Sequence, residues 1–148
     1  MRMVRKFICI FIALIPGVFS PLLVYAGCGQ SDLTGTWITY ALSVDSSGLA
    51  YSPQTNRCKV KINSSGSIVT SKSGCFVRNW TGINYVNITG GKFSVSSSCK
   101  LSGSIVLGVL DEIIIDYGTL AKDKHTFSLI GFNEAYQDYI THLNGVKK

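Results

Sequence analysis

Histidine is almost missing from this chain. His125 and His142 are the only two in 148 residues. No Cys-x-x-Cys occurs, and no cysteine has a histidine close by, so the spacing that builds a zinc site is lacking. There is no Gly-x-Ser-x-Gly either, and with it goes the strained elbow that exposes a serine nucleophile. Ala, Glu and Leu are sparse until the last stretch, which disfavours a helical body. The basic residues are scattered, apart from Lys147-Lys148, with no run of Lys and Arg interleaved with aromatics. That pattern predicts no nucleic-acid partner.

What is present begins with a leader. Arg2, Arg5 and Lys6 precede an almost wholly apolar stretch from Phe7 to Tyr25, broken by Pro16-Gly17 and Ser20-Pro21 and ending in Val24-Tyr25-Ala26. The three parts match a secretory signal peptide over residues 1–26, cut after Ala26. The interruptions argue against a lasting membrane span, so none is expected after cleavage. The expected mature chain is a single β domain over residues 27–148, exported to the periplasm or beyond. Loss of three cations lowers Lys plus Arg from 14 to 11 against 8 acids, so the net charge falls from +6 to +3.

Ser, Thr, Gly and Asn dominate the mature part and favour strands joined by tight turns. Thr36 to Leu42 is rich in β-formers. Cys58-Lys59-Val60-Lys61-Ile62 alternates, with both lysines on one face. Asn63 to Gly66 reads as a turn and Ser67 to Thr70 as the returning strand of a hairpin. Further strands are expected at Cys75–Trp80, Ile83–Ile88, Lys92–Val95, Lys100–Leu107, Glu112–Asp116 and Thr126–Ile130. This predicts an all-β protein, a small antiparallel barrel or sandwich of about eight strands. In the tail, Tyr136, Tyr139, Ile140 and Leu143 fall at helical spacing, with Asn133 as a start and Gly145 as a stop. The spacing predicts a short C-terminal helix, with a closing strand as the competing reading.

Cys28, Cys58, Cys75 and Cys99 remain once Cys9 leaves with the leader. An even count in an oxidising compartment predicts two disulfides. Cys58 and Cys75 flank the proposed hairpin, which would leave Cys28 for Cys99, although three pairings are open. Tyr25-Ala26-Gly27-Cys28 also resembles the lipobox of bacterial lipoproteins, with Tyr25 where that family has an aliphatic residue. A lipid anchor on Cys28 would leave an odd thiol, and cysteine parity favours the soluble form.

Leu33-Thr34-Gly35-Thr36-Trp37 resembles the start of the first strand in lipocalin-like and avidin-like barrels of the calycin type. There, a Gly-x-Trp closes one barrel end. Ile115-Asp116-Tyr117 resembles the Thr-Asp-Tyr of lipocalins, with Ile115 in place of Thr. The Arg that lipocalins stack on their Trp has no sequence counterpart near the C-terminus. With only Trp37 and Trp80, the chain also lacks the tryptophans of a biotin pocket.

The resulting expectation is a binding module, not an enzyme. Its barrel would hold an apolar small molecule against Trp37, Tyr40, Trp80 and Tyr85, with no cofactor and no metal. The alternative is an envelope protein-interaction or inhibitor domain without a cavity, docking another envelope protein through Tyr136 and Tyr139. Glu112 and Asp116 share a face of a strand and read as its solvent side.

Overall fold

The computed structural model describes residues 27–45, 53–109 and 111–148. The expected signal peptide over residues 1–26 lies outside the described residues. Eight strands follow one short helix, α1 (Gln30–Leu33). They are β1 (Gly35–Asp45), β2 (Gln54–Ile62), β3 (Gly74–Asn79), β4 (Gly82–Val95), β5 (Leu101–Leu107), β6 (Asp111–Leu120), β7 (Thr126–Asn133) and β8 (Tyr139–Lys147). Each pairs antiparallel with the next, and β1 pairs with β8, so the sheet closes into an up-and-down barrel. Closure leaves no strand edge unpaired.

Alternation fixes which side chains point inward. Along β2, Asn56, Cys58, Val60 and Ile62 are buried, while the alternating Thr55, Arg57 and Lys59 are exposed. A slip of one residue would exchange the two sets, so the register is strongly specified. β1 behaves the same way: Trp37, Thr39, Ala41 and Ser43 are buried, and Tyr40 and Leu42 are exposed.

One end of the barrel is plugged. Trp37, Phe93, Leu33 and Leu120 are buried there almost completely. The Trp37 ring packs 4.8 Å from that of Phe127, and its Nε1 donates to the Leu33 carbonyl at 2.8 Å. Burying each such side chain contributes roughly 1.5–3 kcal/mol. Helix α1 lies across this floor. Gln30 Nε2 donates to the Phe93 carbonyl at 3.0 Å. The Asp32 carboxylate accepts from the Gly29 amide at 2.8 Å and pairs with Lys124 at 3.0 Å. Gly35 has φ +145°, and a Cβ there would lie 2.8 Å from Lys147 Cε. The glycine of the Gly-x-Trp pattern therefore lets the Lys147 stem cross the start of β1. A cation does cover Trp37 from near the C-terminus: it is Lys147, the last residue of β8, where the sequence offers no Arg.

Both disulfides form: Cys28–Cys99 and Cys58–Cys75. Cys58 and Cys75 are direct partners across β2 and β3. Cys28–Cys99 ties the segment before α1 to the β4–β5 turn. With its sulfur in that bridge, Cys28 has none left for a lipid thioether.

Three expectations are corrected. The tail is a strand, not a helix, because barrel closure needs an element that pairs with β1 on one side and β7 on the other. In β8, Thr141, Leu143 and Gly145 face inward at period 2, and this outweighs the helical spacing. Ser67 to Thr70 is not the returning strand. After the Asn63–Gly66 turn it makes two single bridges, from Ser67 and Ile68, and then a 3-10 turn over Thr70–Lys72. The partner of β2 is β3. The separate strands expected at Ile83–Ile88 and Lys92–Val95 are one long strand, β4, with a register shift between Ile88 and Gly90.

Candidate functional site

The end opposite Trp37 is open. A cavity of about 540 Å³ lies there, walled by inward residues near the far ends of β1, β2, β6, β7 and β8 and by the β7–β8 connection. Leu107 and Ile113 supply apolar wall. Ser43, Asn56, Asn133 and Thr141 bring hydroxyls and amides, and Asp45, Asp111 and Asp138 bring carboxyl groups to the rim. No Lys, Arg or His is among the lining residues.

The hydrogen bonding within this mouth is incomplete. Ser43 Oγ and Thr141 Oγ1 satisfy each other at 2.8 Å. Asn133 Nδ2 donates to the Asp111 carboxylate at 3.2 Å. Asn56 is 8% exposed, yet its Oδ1 has no partner among the described residues. The Tyr139 hydroxyl is likewise buried and unpartnered, as is Thr39 Oγ1 further down β1. A buried polar atom without a partner costs roughly 1–3 kcal/mol. Such atoms grouped at a cavity wall are where an incoming polar ligand is worth most: Asn56 Oδ1 calls for a donor, and the Tyr139 hydroxyl can accept or donate. Burial, and next the charges of Asp45 and Asp111, hold the Tyr139 hydroxyl protonated beyond its ordinary pKa of 10.0.

No family model matches the chain, and no curated protein matches it. The closed eight-stranded antiparallel barrel fits a calycin-like fold in general.

The four aromatic residues expected to hold a ligand are not brought together. Trp37 is fully buried in the plugged floor. Tyr40 points outward from β1 and is 53% exposed, and Trp80 sits in the β3–β4 turn at 80%. Tyr85 lies on the outer face of β4, edge-on to Phe76 at 5.3 Å. None lines the open mouth. Of the two tyrosines assigned to a docking surface, Tyr136 is exposed at the rim, whereas Tyr139 turns its hydroxyl inward.

Sequence reasoning missed Asn56, Asp45 and Asp111. Asn56 could have been found: it falls at an inward position of the same alternation that carries Cys58, Val60 and Ile62. The carboxyl groups could not, because sequence alternation does not reveal which barrel end is open. The remaining candidates stay apart. His125 is in an exposed turn, and His142 faces outward with Ser128 Oγ 3.2 Å from its Nε2. Asp116 sits at a register shift between Ile115 and Tyr117. Among the described residues, no three His, Cys, Asp or Glu converge as a metal site, and no helix is long and apolar enough to cross a membrane.

Proposed function

We propose that this protein is an exported binding module that seats a small ligand in the open mouth of its barrel and does not transform it. The observation that carries the reading is the pair of buried, unpartnered oxygens, Asn56 Oδ1 and Tyr139 OH, on the wall of that cavity. The lining supports a polar ligand more than the apolar one expected from the aromatics. Acceptors and carboxyl groups outnumber donors, so the complementary molecule brings N–H or O–H groups and no negative charge. A small organic cation meets both conditions. Leu107 and Ile113 would flank its carbon skeleton. Two disulfides suit an extracytoplasmic compartment, and the Gly-x-Trp floor supports a lipocalin-like kinship. A domain without a ligand cavity is less well supported, because the mouth is hollow.

Titration of isotope-labelled protein with agmatine, glucose and decanoate, read by amide chemical shifts, tests this. Agmatine is expected to move Ser43, Asn56 and Thr141. Asn56→Leu should weaken it by roughly tenfold, the worth of one hydrogen bond to a charged donor. Silence at these three residues with every probe defeats the reading, and hydrolysis of model glycosides or esters defeats the non-catalytic part of it.

A further inference from the structure

The acidic and basic residues are segregated along the chain and therefore around the barrel. Between Asp45 and Asp111 there is no Asp or Glu, while Arg57, Lys59, Lys61, Lys72, Arg78, Lys92 and Lys100 all fall there. Strands β2 to β5 thus form a wall that carries only positive formal charge. Register gathers five of the seven into one area. Arg57 stands beside Phe76, and Phe76 beside Tyr85. Lys59 stands beside Gly74, and Gly74 beside Asn87. Arg78 follows Phe76 on the outer face, Lys61 continues that of β2, and the 3-10 turn brings in Lys72. Among the described residues, none of the five is paired with a carboxylate.

The area is concave. A groove of about 550 Å³ runs outside β2 and β3, bounded by Arg57, Lys59, Lys72, Phe76 and Tyr85, with half-buried Ile38 of β1 among its walls. The Tyr85 ring lies across Gly74, where a Cβ would meet its Cζ at 2.6 Å. Gly74 therefore lets the ring lie down on the sheet, and Tyr85 remains 59% exposed. Cations beside an exposed aromatic ring suit a chain that alternates negative charge with flat, weakly polar faces.

We propose that this outer groove binds an acidic polysaccharide, its carboxylates or sulfates held by Arg57, Lys59 and Lys72 and a sugar face lying on Tyr85. Two polymers have the required chemistry, acidic glycans and single-stranded nucleic acids. Both disulfides belong to an oxidising compartment, where acidic glycans are the polyanions at hand. The Cys58–Cys75 bridge lies directly behind the groove, and Cys58 is among its lining residues. The site is separate from the barrel mouth and does not depend on the reading given to it.

The test is binding of an alginate hexasaccharide to the oxidised protein, with a neutral dextran oligomer and oligothymidylate as comparisons. Alginate should bind, and weaken by at least roughly tenfold between about 50 and 200 mM salt. Dextran should not bind. Lys59→Glu and Lys100→Glu change the net charge equally, but only the first is in the groove. Lys59→Glu should cost roughly tenfold and Lys100→Glu less than about twofold. Tyr85→Ala should weaken alginate by roughly fivefold with the salt slope unchanged, since it removes stacking and no charge. Equal losses from the two lysine variants would mean attraction to net charge alone and overturn the proposal. Tighter binding of oligothymidylate would assign the groove to nucleic acid and overturn it too, as would no binding of alginate.

Discussion

Lys147, at the end of the last strand, holds its Nζ 5.6 Å from the centre of the Trp37 ring, near the start of the first. The same ammonium donates to the Asp32 carbonyl at 2.8 Å. One side chain thus joins β8, the Trp floor and helix α1. Lys147→Met keeps much of the stem and removes the charge and the hydrogen bond. It should destabilise the fold by about 1–2 kcal/mol, measured as a lower urea midpoint with an unchanged slope.

At the other end of the same seam, Ser43 and Thr141 share one buried hydrogen bond between direct partners of β1 and β8. Thr141→Val strands the Ser43 hydroxyl and should cost roughly 1–3 kcal/mol. Adding Ser43→Ala removes the stranded group and should recover part of that loss. A double-mutant cycle by urea denaturation checks it, and strict additivity would contradict the pairing.

The two disulfides should differ in worth. Cys28–Cys99 spans 71 residues and Cys58–Cys75 spans 17. On the chain-entropy account the longer loop contributes about 1 kcal/mol more. Replacing each pair with serine and comparing thermal unfolding measures the difference. Loss of the longer bridge should also loosen α1, seen as faster hydrogen exchange at Leu33 and Trp37.

Asp32 gives the acid limb of the stability curve. The Gly29 amide, and then the Lys124 side chain, hold its carboxyl below the ordinary 3.8. A lowered folded value means that the unfolded chain takes up the proton first. The contribution is complete above 3.8 and is lost as pH falls through the folded value. Asp32 is partly solvated, so the ion pair itself contributes no more than about 1 kcal/mol. Asp32→Asn should lower stability near neutrality and flatten the acid limb in that window, while the wild type continues to fall.

Much of the architecture was legible from local chemistry. Alternation in Cys58 to Ile62 set the inward face of β2, and cysteine parity anticipated two bridges. The burial of Trp37 at one end was implied only by the resemblance of Gly35-Thr36-Trp37 to a calycin-type first strand, and contacts made it a floor. The helical spacing of Tyr136, Tyr139, Ile140 and Leu143 misled because periodicity reports only what one segment prefers. The position beside β1 remained open, and the unpaired N–H and C=O groups of that strand demanded a partner.

The sequence alone determined the strand-rich body, the direction in which each side chain of an alternating strand points, and the absence of acid between Asp45 and Asp111. These depend on neighbours along the chain. Tertiary structure decided which end is hollow, that Asn56 and Tyr139 share one cavity, and that Arg57, Lys59, Lys72 and Tyr85 face one groove. Those depend on strand register around a closed sheet, where residues far apart in the chain come within bonding distance.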